Sequence, residues 1–162
     1  MKLQSMYQEI ILDHYRKPHG KGLREPFDAE VHHVNPTCGD EVTLRVALDT
    51  ADGATVISDV SYESLGCSIS QASVSVMTEL VVGRELAEAT KAYDAFLELM
   101  RAKGQTDELT ADEEDLLQDA VAFEGVSKYP ARIKCALLGW MAWKDATGRA
   151  LGQTAETTEE KS

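Results

Sequence analysis

Two neighbouring runs of alternating apolar and polar residues limit the possible folds of this chain most strongly. In Glu41–Asp49 one side carries Val42, Leu44, Val46 and Leu48, and in Val56–Tyr62 it carries Val56, Val60 and Tyr62. Turn residues in 49–53 join the two runs, and Ala29–Val34 forms a shorter strand before them. This period indicates strands with one buried face, and short links favour antiparallel pairing. The sequence predicts a three-stranded antiparallel sheet.

Helical periodicity surrounds the strands. The predicted helices are Met6–Arg16 behind a capping box at Ser5, Ser68–Val82, Arg84–Arg101, one that opens at Thr110, and one that runs from Pro130 to Gly148 with Ile133, Leu137, Trp140 and Met141 as its apolar stripe. Strands followed by helices are typical of an α+β fold with the helices packed on one face of the sheet. We place a single domain at residues 1–150 and a polar, disordered tail at 151–162.

Charge and apolar patterning restrict the partners. The formal net charge is −12, and residues 107–119 contain seven acids and no base. An anionic surface repels phosphate backbones and anionic lipids, so we expect neither nucleic acid nor membrane partners. No apolar run approaches the roughly 20 residues that span a bilayer. Three cysteines without a secretory segment favour a reducing, cytoplasmic location, where cysteines more often bind metal or react than form disulfides.

The three cysteines lie where predicted elements meet. Cys38 is in a turn between two strands, Cys67 is where the third strand leads into a helix, and Cys135 is in the first turns of the last helix. The positive end of the helix dipole would favour a thiolate at Cys67. Arg132 and Lys134, which flank Cys135, could act in the same way. If these elements converge, the three thiols can share one site.

A bound cation is the simplest way for three thiolates to coexist. Asp40, two residues after Cys38, is the nearest candidate for a fourth ligand, and three cysteines with one aspartate make a plausible tetrahedral zinc site. Without a Cys-x-x-Cys pair, buried thiols that bind nothing are the alternative. The four histidines, His14, His19, His32 and His33, share no motif with the cysteines and are poor ligand candidates.

Three motifs together resemble a known family. They are Asn35-Pro-Thr-Cys38-Gly-Asp40, Gly66-Cys67-Ser-Ile-Ser70 and Arg132-Ile-Lys-Cys135-Ala136, and they are similar to the cysteine motifs of the U-type iron–sulfur cluster assembly proteins. Met6–Pro18 also resembles the start of that family. Lys134 stands where the IscU branch usually has histidine, and Cys135 follows Cys67 by 68 positions, a longer interval than in IscU. The chain therefore resembles the SufU branch more.

The resemblance implies an α+β fold, a zinc ion on Cys38, Asp40, Cys67 and Cys135, and a SufS-type cysteine desulfurase as partner. It also implies that Cys38 accepts persulfide sulfur, which then passes to downstream iron–sulfur assembly machinery. Such a protein is a sulfurtransferase-like acceptor rather than a stand-alone enzyme. Two alternatives stay open. One is a scaffold that builds a [2Fe–2S] cluster, or holds iron, on the same ligands, and the other is a structural zinc-binding adaptor.

Overall fold

The computed structural model describes residues 2–36, 39–101 and 111–155. It confirms the α+β fold with a three-stranded antiparallel sheet. In chain order the elements are α1 (Lys2–Arg16), β1 (Ala29–Asn35), β2 (Asp40–Ala51), β3 (Ala54–Leu65), α2 (Ser68–Val81), α3 (Leu86–Arg101), α4 (Ala111–Leu117), a 3-10 helix (Gln118–Lys128) and α5 (Pro130–Ala155).

The sheet is a meander in which β2 lies between β1 and β3. Its buried face carries Val42, Leu44 and Val46, as the alternation predicts, and α5 packs against β1 and β2. Asp52 and Gly53 form the β2–β3 turn with φ values of 52° and 80°. Two positive φ values match the hairpin turns whose twist fits that of paired strands. The turn thereby sets the β2–β3 register.

The predicted buried face of β3 is wrong at its start, because the strand contains a bulge. Ala47 pairs with Asp59 and Leu48 pairs with Ile57, so Ser58 has no partner position in the pairing. The extra residue reverses the alternation. Ile57 is consequently buried with Val60, whereas Val56, which the sequence places on the buried side, is only partly buried.

Helix α2 forms the centre of the helical layer. It is buried on most sides rather than along one stripe, because α1 and α5 both pack against it. The α3–α5 contact includes Phe96, whose ring stacks on Trp140 at 4.3 Å between centroids. The Trp140 indole N–H donates to Ser73 Oγ at 3.1 Å, which satisfies its one buried donor.

Two predicted helix boundaries are wrong by more than two residues. Helix α1 begins at Lys2, so Ser5 lies inside it and not at its N-cap position. Helix α5 continues through Gly148 to Ala155, because a single glycine costs a helix only about 1 kcal/mol, which packing offsets. The predicted tail therefore begins as helix, and its residues 156–162 lie outside the described residues.

Two further helix predictions need correction. The helix expected from Thr110, itself outside the described residues, is helical over α4 but changes to the 3-10 helix at Gln118, whose φ is 47°. On α5 the predicted stripe is misplaced at Met141, which is 47% exposed, whereas Trp140 is buried as predicted. None of the helices in the described ranges is long and apolar enough to cross a bilayer.

Candidate metal centre

The candidate centre lies at the end of the sheet where β2 begins and β3 ends. Asn35 pairs with Asp40 across the β1–β2 turn, and the Gly39 N–H donates to the Asn35 carbonyl at 2.8 Å. On the other side of β2, Glu41 pairs with Leu65. This register places Asp40 beside the two residues that connect β3 to α2.

The Asp40 carboxylate is held against the start of α2. Its Oδ1 accepts a hydrogen bond from the Cys67 N–H at 3.0 Å, and its Oδ2 lies 3.7 Å from Cys67 Sγ. Cys67 is the N-cap residue of α2, and among the described residues its side chain makes no capping hydrogen bond. A carboxylate from β2 thus supplies the acceptor and the negative charge that a helix N-terminus favours.

Gly66 makes this approach possible. Its φ of 145° lies in the region that side-chain-bearing residues rarely adopt, and a Cβ at this position would overlap the Asp40 carboxylate. The Gln71 side-chain N–H donates to the Gly66 carbonyl at 2.8 Å and holds the turn. Glycine therefore suits the position before Cys67 for two reasons: it adopts this backbone conformation, and it leaves space for the Asp40 carboxylate.

Cys135 completes the described part of the centre. It is fully buried on α5, and its Sγ, the Cys67 Sγ and an Asp40 carboxylate oxygen all lie within 4.8 Å of one another. Zinc bonds of 2.3 Å to sulfur and about 2.0 Å to oxygen place tetrahedral sulfur and oxygen ligands about 3.5 Å apart. The observed 3.7 Å between Cys67 Sγ and Asp40 Oδ2 is close to that value. The donors present fit a zinc ion.

Of the predicted site residues, the fold brings Asp40, Cys67 and Cys135 together. Cys38 lies outside the described residues, so its position relative to the other three stays a prediction. Arg132 is exposed and lines a cavity that Cys67 also lines. Lys134 is exposed on α5, next to Cys135 in the chain.

That cavity is an open groove of about 460 Å³ beside the centre. Its lining residues come from α1, the start of α2, the 3-10 helix and the start of α5, and include Tyr7, Ile11, Cys67, Ile69, Val126 and Tyr129. Cys67 is only partly buried, and Tyr129 is 62% exposed. The thiol of Cys67 can therefore be reached by another protein seated in the groove.

Apart from Cys67 and Arg132, sequence reasoning missed the residues that line the groove, and it missed the hydrogen bond from Gln71. Burial, with the carboxylates of Glu124 and Glu114, raises the pKa of Tyr7 above its usual 10.0. Gln71 follows Cys67 by four residues, a spacing that returns to the same helix face. This four-residue spacing is the sequence feature that could have identified Gln71 as a residue near Cys67. Tyr7 and Tyr129 are far apart in sequence, and only the fold brings them to one groove.

The fold and the site define a class: an α+β domain with a cysteine and aspartate cluster at the end of a three-stranded sheet. The family model for the NifU-like N-terminal domain matches residues 6–136. This chain belongs to that family, the U-type iron–sulfur cluster assembly proteins.

Three relatives illustrate the similarity. The chain is 37% identical over 150 residues to the zinc-dependent sulfurtransferase SufU of Bacillus subtilis, covering 93% of this chain and 95% of that protein. It is 36% identical over 149 residues to the iron–sulfur cluster assembly scaffold protein IscU of Streptococcus pyogenes, covering 92% and 87%. A crystal structure of a SUF-system scaffold protein from Fervidobacterium islandicum AW-1 superposes with a TM-score of 0.70 at 36% identity, covering 85% of this chain and 93% of that one.

Proposed function

We propose that this chain accepts persulfide sulfur from a SufS-type cysteine desulfurase and passes it on to iron–sulfur cluster assembly, using a zinc centre on Cys38, Asp40, Cys67 and Cys135. The observation that carries the proposal is the convergence of Asp40, Cys67 and Cys135 within 4.8 Å beside an open groove. The similarity to SufU of Bacillus subtilis, a zinc-dependent sulfurtransferase by name, supports it.

The transfer is a thiol–persulfide exchange. The Cys38 thiolate attacks the terminal sulfur of the desulfurase persulfide, a new S–S bond forms on Cys38, and the S–S bond on the desulfurase breaks. The desulfurase cysteine leaves as a thiolate with the electron pair of the broken bond, and the proton stays on the transferred sulfur. The exchange needs no external oxidant or reductant. Because free thiols must persist, it suits a reducing compartment such as the cytoplasm.

The proposal assigns a separate role to each candidate site residue. Bound zinc would keep the cysteine thiols deprotonated at neutral pH. Asp40 begins β2, Cys67 is the N-cap residue of α2 and Cys135 lies near the start of α5, so in the proposal these three residues retain the ion. Cys38, two residues before Asp40 in the sequence, is the acceptor. Arg132 lies in the groove wall, where its charge can contact the desulfurase and favour the thiolate that leaves the persulfide.

The test combines this chain, a SufS-type desulfurase and cysteine. We expect the desulfurase rate to rise and mass spectrometry of the peptide that contains Cys38 to show one added sulfur atom. Cys38→Ser should carry no added sulfur while its circular dichroism matches the parent and much of its zinc remains. Arg132→Ala should weaken stimulation, and His32→Ala, an exposed control outside the groove, should not. Full sulfur uptake by Cys38→Ser would overturn the assignment of the acceptor.

A second candidate is a scaffold that builds a [2Fe–2S] cluster on the same ligands. The similarity to IscU of Streptococcus pyogenes favours it, and cysteine and oxygen ligands suit either centre. Lys134, in the place of the histidine usual in IscU, favours sulfur transfer. Freshly isolated protein should contain zinc and be colourless under the first proposal, whereas iron and a brown colour would support the scaffold.

A further inference from the structure

A second cluster of metal-binding side chains lies away from the cysteines. It joins His14 on α1, His19 on the loop after α1 and Glu79 on α2, and one ligand atom from each lies within 4.8 Å of the others. Asp119, at the start of the 3-10 helix, adds a carboxylate oxygen 3.0 Å from His14 Nε2. Sequence reasoning set these histidines aside because they share no motif with the cysteines, and only the fold brings them to Glu79.

Both histidines are anchored to the same hydroxyl group. His14 Nδ1 lies 2.8 Å from Ser75 Oγ, and the backbone N–H of His19 donates to that oxygen at 2.9 Å. Ser75 and Glu79 are four residues apart on α2 and share a helix face. His14 Nε2 lies 3.0 Å from Asp119 Oδ2, at hydrogen-bond distance, so a metal ion would bind in place of a proton on Nε2, with Nδ1–H then donating to Ser75 Oγ. Metal-binding histidines are commonly oriented in this way by a partner of the second ring nitrogen.

The two contacts with Glu79 match the spacing of metal ligands better than that of hydrogen bonds, whereas the His14–Asp119 contact is of hydrogen-bond length. His14 Nε2 and His19 Nε2 lie 3.4 Å and 3.7 Å from the two Glu79 carboxylate oxygens. Hydrogen bonds of this type are about 2.7–3.2 Å long. Bonds of 2.0–2.1 Å from a tetrahedral metal ion place its nitrogen or oxygen ligands about 3.3 Å apart. The cluster therefore needs little rearrangement to surround one ion.

The surroundings suit a divalent cation that can enter from solvent. Glu79 and Asp119 contribute two negative charges, whereas His14 is only 5% exposed and gives the site one fixed, buried ligand. A cleft of about 320 Å³ lined by Asp13, His14, Lys17 and His19 opens beside the cluster. Two imidazoles with carboxylates favour a first-row transition ion over magnesium or calcium, which prefer oxygen ligands alone.

We propose that His14, His19 and Glu79, with Asp119, form a second site for a divalent transition-metal ion, separate from the cysteine centre. Bound there, the ion joins α1, α2 and the 3-10 helix. The site does not depend on the proposed sulfur transfer.

Cobalt titration of the whole protein tests the proposal. We expect two binding events: one with sulfur-to-cobalt charge-transfer absorption from the cysteine centre, and one with weak ligand-field bands only. His19→Ala and Glu79→Gln change side chains that are about half exposed, so the fold should persist. Each should weaken the second event at least tenfold and leave the first intact. His32→Ala, which removes an exposed histidine beside Glu41, is the matched control and should leave both events unchanged.

The outcomes separate the two sites. A single cobalt event of the charge-transfer type, or a second event that persists unchanged in both His19→Ala and Glu79→Gln, would overturn the second site. If the unsubstituted protein shows no charge-transfer event, that result would count against the cysteine centre and not against the second site. Zinc stoichiometry, falling from two ions to one in the same two variants, gives an independent readout.

Discussion

Gly66 is the residue whose missing side chain matters most to the candidate metal centre. Gly66→Ala should force both an unfavourable backbone conformation and a displacement of Asp40. The matched control is Gly53→Ala in the β2–β3 turn, where φ is 80° and no described atom lies within 4 Å of the added Cβ. Each substitution should cost about 1–2 kcal/mol for the backbone alone.

Zinc affinity should separate the two alanine variants. Gly66→Ala should reduce it on the order of tenfold or more, as expected when a ligand is shifted, and Gly53→Ala should leave it unchanged. Competition with a coloured zinc chelator measures both. Equal zinc affinity in the two variants would mean that the Gly66–Asp40 contact does not shape the site.

The His33–Asp145 contact gives a pH prediction. The hydrogen bond from His33 at 2.8 Å, with a smaller contribution from Arg149, lowers the pKa of Asp145 below its usual 3.8. A lowered carboxyl pKa stabilises the fold above 3.8, and this stabilisation is lost as the pH falls through the folded-state value. Asp145→Asn should therefore cost up to about 1 kcal/mol near neutral pH, since partial exposure screens the pair.

Urea unfolding at several pH values measures this difference. The gap between Asp145→Asn and the parent should shrink as the pH falls below 3.8. A gap of the same size at every pH would assign the loss to packing instead of charge.

The candidate site could be predicted at the level of single residues only where motifs mark it. Asp40 and Cys67 stand in glycine-bearing turns, and the register of the strands brings these turns together. The His14–His19–Glu79 cluster has no such signal, because its members come from three segments whose contact depends on how α1 packs on α2.

At the scale of elements, α5 offers a matched pair of glycines. At Gly139 a Cβ would lie 2.7 Å from the Val74 Cβ, where α5 crosses α2, whereas at Gly148 no described atom lies within 4 Å. Gly139→Ala should destabilise the protein by about 1–3 kcal/mol through overpacking. Gly148→Ala should stabilise it by up to about 1 kcal/mol, because alanine is the better helix former. Thermal or urea unfolding of both variants is the measurement.

The opposite expected signs of the two stability changes test where α5 contacts α2 and whether it continues past Gly148. A destabilising Gly148→Ala would indicate that the helix ends at that glycine, as the sequence alone predicts. A neutral Gly139→Ala would mean that α2 and α5 are not in close contact there.

The helices and strands were predictable where the hydrophobic periodicity is strong, and less predictable where the local backbone departs from that periodicity. The strands and α2 follow from alternation and helical spacing. The bulge at Ser58 reverses one strand face without changing composition, and the backbone at Gln118 ends α4 within an otherwise helical pattern. Neither the bulge nor the change of helix type is marked by the composition or the periodicity of the sequence.

At the scale of the whole molecule, the three candidate ligands that the structure describes come from β2, the start of α2 and α5. An ion that binds only the folded state stabilises it by about 2.7 kcal/mol when free ion is present at 100 times its Kd. Chelation should therefore lower the unfolding temperature, and adding zinc should restore it. Cys67→Ser should lose most of the gain. An unfolding temperature that zinc does not change would argue against a shared centre.

X-ray absorption at the zinc edge, on protein loaded with one equivalent of zinc, tests the central claim most directly. Coordination by Asp40, Cys67 and Cys135, with Cys38, predicts a first shell dominated by sulfur at about 2.3 Å with one lighter atom at about 2.0–2.2 Å. Asp40→Ala should change the lighter shell, and Cys67→Ser should remove one sulfur. A first shell of nitrogen and oxygen alone in the parent protein would contradict the claim.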